Sequence, residues 1–321
     1  SEIMRRAEKV YPLQLKWFHY LHRNPELANA EFNTTIFIKD ELRRRGVDFV
    51  PLKMKTGAAA IINGRAETGI ALRADIDALP IEEQTGLSYK SSHPGRMHAC
   101  GHDIHTAVAM GAAILLQEIK KEIPGTVKIL FQPAEESPPG GANQLIAEGI
   151  LKKPRVEMIF ALHTDPILST GRIGLIDGPA MASVTDFDIT IVGKGSHAAK
   201  PHLGIDAIVV AAELINALQK LVSRRTNPLK PLLITVGQIG GGTARNIIAE
   251  RVTISGTART LYPETRKVIP MLIKQTVDGV CRSYGAKYQI DIGNEYPPLI
   301  NDAAANRILA EAYKKLFGQA K

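Results

Sequence analysis

Apolar and polar positions change their period several times along the chain. Residues 2–21 and 34–45 repeat apolar side chains at helical spacing, and Gly46 follows the second stretch as a stop signal. Short apolar runs at 58–62 and 70–74 read as strands, and 104–121 reads as a long amphipathic helix. Runs at 127–131 and 158–162 read as strands again. Strands alternating with helices predict an α/β fold built on a mostly parallel sheet.

The pattern changes near residue 180. Strand-like alternation at 187–192 is followed by a helix at 206–221 and a strand at 232–239 that runs into Gly240-Gly241-Gly242. A strand at 251–259, a helix at 264–284 and a strand at 287–292 complete a β-α-β-β-α-β order, the split ferredoxin-like unit of α+β domains. A separate small domain at 181–293 is therefore expected. It interrupts a host domain made of 1–180 plus 294–321, whose last part holds only the loop at 295–298 and a helix at 303–316.

Composition narrows the class. The chain has 321 residues, 45% hydrophobic and 22% charged, which suits two globular domains. No apolar run approaches the roughly 20 residues that span a bilayer, so no membrane association is expected. The charged opening 1–9 lacks the apolar region of a secretory signal, and the missing initiator Met reads as a trimmed or engineered start. Two cysteines, Cys100 and Cys281, with Cys100 among histidines, point to free thiols and a cytoplasmic protein. The net charge of +8 raises nucleic-acid binding as an option, but the basic residues are scattered and aromatics make up only 5%. No nucleic-acid partner is expected; the charge favours anionic small molecules.

The chemistry concentrates in Met97-His98-Ala99-Cys100-Gly101-His102-Asp103-Ile104-His105. A thiolate beside imidazoles suits zinc or a similar first-row metal. The spacing His98-x-Cys100-x-His102 is not that of a zinc finger, which argues against a closed structural site. The helix expected from 104 places Cys100 at a helix amino end, where the dipole favours a thiolate. Three further segments fall at expected strand ends, where open α/β sheets place their sites. They are Asp75-Ile76-Asp77-Ala78-Leu79-Pro80, Phe131-Gln132-Pro133-Ala134-Glu135-Glu136 and Leu162-His163-Thr164-Asp165-Pro166. Adjacent carboxylates such as Glu135 and Glu136 repel each other unless a cation lies nearby. Taken singly, an aspartate pair, a Glu-Glu pair or one histidine is more often a solvated strand end than a ligand.

Together these segments resemble the M20 metallopeptidase and amidohydrolase family. The branch of N-acyl-amino-acid amidohydrolases, with its hippurate hydrolases, aminoacylases and auxin-conjugate hydrolases, is the most similar. The resemblance also rests on His22-Arg23-Asn24-Pro25-Glu26-Leu27, Gly195-Ser196-His197-Ala198-Ala199-Lys200-Pro201-His202 and Gly256-Thr257-Ala258-Arg259. It implies a catalytic domain for one or two divalent ions, zinc first, with manganese, cobalt or nickel as alternatives. It also implies an inserted lid or dimerisation domain, a homodimer, and a substrate that is an N-acyl amino acid or small peptide with a free carboxylate. Carried over residue by residue, it implies Cys100, His102, Glu136 and His163 as metal ligands and Glu135 as the general base. It implies Asp77 as a support behind the ligands, His197 as the group polarising the scissile carbonyl, and Asn246 and Arg259 as holders of the substrate carboxylate. The reaction expected is metal-dependent amide hydrolysis of the aminoacylase or carboxypeptidase kind. Two departures stand out. The family supplies a final histidine ligand beyond this point, whereas the last histidine here is His202, so a C-terminal truncation is expected. The alternative on that basis is a catalytically impaired metal-binding or scaffold homologue. Ile104 replaces a smaller residue, which implies a packing change.

Overall fold

A computed structural model describes residues 1–138, 140–293 and 296–318. Glu295, where the expected loop at 295–298 begins, lies outside them, as do 294 and 319–321 of the expected host domain. The chain divides into two compact units, one formed by Ser1–Ile173 with the chain from Tyr313 onward, the other by Gly174–Ala312.

The first unit opens with helices α1 (Glu2–Arg23) and α2 (Phe32–Arg43). Strands β1 (Asp48–Phe49), β2 (Ala58–Ile62) and β3 (Gly69–Asp75) follow, then α3 (His102–Glu118), β4 (Thr126–Gln132), α4 (Gly141–Ala147) and β5 (Val156–Ala161). The sheet order is β1-β2-β4-β3-β5. The pairs β4/β3 and β3/β5 are parallel, and β1/β2 and β2/β4 are antiparallel. The sheet is thus mixed rather than mostly parallel. Only residues 63–68 join β2 to β3, too short a link for a parallel crossover, so the two strands run in opposite directions.

All residues of β4 are buried because both faces of the sheet are covered. Val127, Ile129 and Phe131 pack with Trp17, Ile38, Leu42 and Met110 from the three long helices. Leu130 packs on the other face with Leu145 and Ile150. Lys128 shares that second face, and its ammonium donates to the carbonyls of Ile150 and Pro154. The helix α3 begins at His102, earlier than its apolar pattern suggests, and is buried around most of its girth rather than on one stripe. It is covered by sheet residues on one side and by α1 and α2 on the other.

The second unit is built on β7 (Thr185–Val192), β9 (Leu232–Gly241), β11 (Arg251–Thr260) and β12 (Lys287–Ile292), with helices α5 (Ala207–Lys220) and α6 (Pro263–Ser283). Its sheet order is β12-β7-β11-β9, all antiparallel. In β7 the alternation is complete: Phe187, Ile189 and Ile191 face a core shared with Val210, Leu214, Ile273 and Val277 of the helices. Asp206 caps α5 by accepting from the backbone N–H groups of Ile208 and Val209. Short pairs complete the unit: β6 (Gly178–Met181) with β13 (Leu299–Asn301), and β8 (Ser196–His197) with β10 (Ile247–Ile248). The helix α7 (Ala303–Phe317) closes the described chain. None of its residues is buried. Among the described residues no helix is long and apolar enough to cross a membrane.

Candidate metal centre

Three neighbouring parallel strands deliver their carboxyl ends to one edge of the first sheet. β3 ends in Asp75 and leads to Asp77, β4 leads through Pro133-Ala134 to Glu135 and Glu136, and β5 leads to His163. The first turn of α3 brings His102 to the same edge, with Gly101 as its N-cap and Cys100 just before. Gly101 is required on two grounds. Its φ is +80°, and a Cβ there would lie 2.3 Å from Oγ1 of Thr164. Ala134 also adopts a positive φ, +49°, immediately before the paired glutamates. Its backbone N–H donates to Oε1 of the fully buried Glu31 at 2.7 Å.

His102 is the hub. Its ligand atoms fall within 4.8 Å of those of three different pairs: Cys100 with His163, Asp75 with His105, and Glu135 with Glu136. Nδ1 of His102 donates to the carbonyl oxygen of Asp77 at 2.8 Å, with the Asp77 carboxylate 3.4 Å away. That leaves Nε2 directed at Glu136 Oε1, 3.8 Å away, and Asp75 Oδ2, 3.6 Å away. Nε2 of His102 and Oε1 of Glu136 are both buried and lack a hydrogen-bond partner. Buried polar atoms are rarely left so. Two ligands held about 2 Å from one ion sit roughly 3–3.5 Å apart, close to the spacing seen here. Alongside them, Cys100 Sγ lies 3.4 Å from Nε2 of His163. A thiol, two imidazoles and a carboxylate are a donor set suited to zinc and its neighbours.

The electrostatics fit a cation. Burial and the adjacent Glu136 push the Cys100 thiol up to about 12, so it keeps its proton until a positive charge arrives. This reverses the expectation that the helix amino end alone would favour a thiolate, because carboxylates surround the sulfur. Burial works against a charged His102, but its bond to Asp77 and the charge of Asp75 raise it to about 9. Burial would raise Asp77 as well. The bond to His102 and the backbone N–H groups of Glu136 and Glu135 hold its carboxyl below the usual range. Burial and the charge of Glu136 push Glu135 up, which makes it readier to hold a proton.

The remaining histidines of the cluster differ. Burial pushes His98 down to about 4, and neither ring nitrogen has a partner. His98, Phe18, His22, Cys100 and His163 line a cavity of 500 Å³. His22 bridges Asp103 at 2.6 Å and Glu83 at 3.2 Å, and these bonds raise it against the effect of burial. His105 turns to Asp75 at 2.6 Å, and Arg73 meets the other Asp75 oxygen at 2.9 Å. Sequence reasoning gave no role to Arg73, Thr164 or Glu31, and counted His105 only as one more potential ligand of the cluster. The i, i+3 spacing of His102 and His105 on one helix face was the available signal.

The second unit holds the other expected residues. His197 is exposed on β8 opposite Ile247, and the Asn246 carbonyl accepts from the N–H of Ala198 at 3.1 Å. Those two positions therefore lie at one two-stranded ladder, although about 50 residues separate them in the chain. Arg259 lies on β11 opposite Leu233 of β9 and is exposed.

Comparison with known proteins places these features in a group. The model of peptidase family M20/M25/M40 matches residues 71–321. N-acetyl-L-cysteine deacetylase of Bacillus subtilis is 45% identical over 297 residues, covering 92% of this chain and 71% of that relative. N-acyl-L-amino acid amidohydrolase of Geobacillus stearothermophilus is 38% identical over 302 residues, covering 94% and 81%. A solved structure from Bacillus subtilis, described as a dinuclear metal binding peptidase from the M20 family, matches with a TM-score of 0.83 and 35% identity. It covers 96% of this chain and 81% of its own.

Proposed function

This chain belongs to peptidase family M20/M25/M40, and on that footing we propose that it is a divalent-metal amidohydrolase. It cleaves the amide bond of N-acyl amino acids, or of small peptides with a free carboxylate. The observation that carries the reading is the pair of buried, unpartnered atoms, His102 Nε2 and Glu136 Oε1, facing each other 3.8 Å apart beside Cys100 and His163. The relatives named for N-acetyl-L-cysteine and N-acyl-L-amino acids support the substrate class.

Cys100, His102, Glu136 and His163 would hold one or two ions, zinc by donor type, with manganese, cobalt or nickel also compatible. A divalent ion held by these residues would supply acidification of a water and polarisation of the scissile carbonyl. Asp77 fixes the His102 ring through the backbone and carboxylate contacts at Nδ1 and keeps Nε2 forward. Glu135, its carboxyl already raised, takes the proton of the attacking water and passes it to the leaving amine. His197 stabilises the oxyanion, while Asn246 and Arg259 hold the substrate carboxylate, the arginine through its bidentate fork. The cavity of 500 Å³ beside Cys100 and His163 has room for a small acyl group. In this reading 1–180 with 294–321 is the catalytic domain and 181–293 the lid or dimerisation domain of a cytoplasmic homodimer, a division that departs from the two compact units over 174–180 and 296–312.

The test is turnover of N-acetyl amino acids by wild type and Glu135→Gln, with metal content measured in both. We expect the variant to keep its metal and lose turnover by about 10²–10⁴-fold. Equal turnover in the variant overturns the base assignment. A wild type that binds metal without hydrolysing any acyl amino acid overturns the proposed activity and favours a metal-binding homologue.

A further inference from the structure

We propose that His105 is a positioning residue: it locks the peptide unit of Thr164 to Asp75 and so holds His163 in a metal-ready tautomer, without itself binding an ion. Distance alone would group His105 with His102 and Asp75 as a ligand. Its hydrogen bonds say otherwise. The backbone N–H of Thr164 donates to His105 Nε2 at 3.0 Å. A backbone N–H can only donate, so Nε2 carries a lone pair and the ring proton resides on Nδ1. Nδ1 then donates to Asp75 Oδ1 at 2.6 Å. Asp75 is anchored in turn by Arg73, whose Nε also donates to Gln132 Oε1 at 2.9 Å at the end of β4. Both nitrogens of His105 are thus engaged, and the ring is buried.

The consequence passes through one residue, whose N–H and C=O belong to successive peptide groups. Thr164 follows His163, and the Thr164 carbonyl accepts from Nδ1 of His163 at 2.7 Å. That bond leaves the lone pair of His163 on Nε2, the atom facing Cys100 Sγ. Thr164 Oγ1 also lies 3.3 Å from His105 Nε2, on the side where Gly101 leaves room for it. His105 therefore connects the ends of β3, β4 and β5 through Arg73, Asp75 and Thr164, and sets the direction of a ligand it does not touch by hydrogen bond. Partners of this kind typically govern metal affinity about 10–100-fold.

The inference rests on the centre being a metal site, and the experiment separates the two. Co²⁺ binding to the metal-free full chain is measured by chelator competition, with the cysteine-to-cobalt absorption band as a second readout, for wild type and His105→Ala. We expect about 10–100-fold weaker binding in the variant, with the same stoichiometry and the same band at saturation. A wild type that takes no Co²⁺ overturns the metal reading itself. Equal affinity in the two proteins overturns the role of His105 alone, and loss of one ion at saturation shows that it is a ligand. Anomalous diffraction from zinc-loaded wild type needs no variant: His105 Nε2 still on the Thr164 N–H supports the proposal, and zinc on that nitrogen overturns it.

Discussion

Replacing Gly101 with alanine tests whether the close seating of the Thr164 loop builds the centre. Two costs add at this position. A side chain at φ +80° takes on the left-handed backbone that favours glycine, about 1–2 kcal/mol. The new Cβ would lie 2.3 Å from Thr164 Oγ1, with Cβ and Cγ2 of the same threonine at 3.4 and 3.5 Å, so the threonine must turn or shift to admit it. Overpacking of that kind costs roughly 1–3 kcal/mol. The sum, about 2–5 kcal/mol, divides between lost stability and displacement of the loop that carries His163. Urea denaturation of the metal-free chain gives the first part, and Co²⁺ affinity gives the second. The double variant Gly101→Ala/Thr164→Ala should recover the steric share and leave the backbone share. Gly101→Ala within about 0.5 kcal/mol of wild type in both assays would refute the reasoning, as would strict additivity in the double variant.

Two further predictions follow from the site's charges. At pH 7–8 both the Cys100 thiol, near 12, and His102, near 9, carry protons in the metal-free chain, so metal binding should release both, and calorimetry in buffers of different ionisation enthalpy would show it. Because His102 is raised above its ordinary 6.5, its contribution to the metal-free fold is fully present below about pH 6.5 and is lost as pH rises through about 9. A stability curve for the metal-free chain that climbs across that window, with His102→Gln as control, would contradict the assignment. Glu31→Ala should leave the buried Ala134 N–H without its acceptor and cost about 1–3 kcal/mol. Glu31→Gln should restore most of that stability in urea titration, and an alanine variant as stable as wild type would count against the clamp.

Much of this arrangement is legible in the sequence because it follows from period and from strand ends. The runs at 58–62 and 287–292 coincide with β2 and β12, and the β-α-β-β-α-β order yields the sheet β12-β7-β11-β9. The Asp77, Glu135-Glu136 and His163 segments do follow neighbouring strands. What escapes the sequence has no periodic signature. β1, β8 and β10 have two residues each, too few to alternate. His102 belongs to α3 although the apolar repeat starts later, because its burial comes from the polar contact with Asp77 rather than from an apolar stripe. Its neighbour His105 looks equivalent as a sequence letter. Only the backbone N–H of Thr164, 59 residues away, distinguishes the two.

The delivery of the centre by β3, β4 and β5 also fixes when it can exist. Cys100 and His102 are close in the chain, but Glu136 and His163 reach them only once both parallel ladders have paired. An ion offered to the unfolded chain would meet only two of the four proposed ligands, and the entropy of closing the long intervening loops must be overcome before the others arrive. If these four residues hold the ion as proposed, the centre would form only after the parallel ladders, and tight binding would report that they have paired.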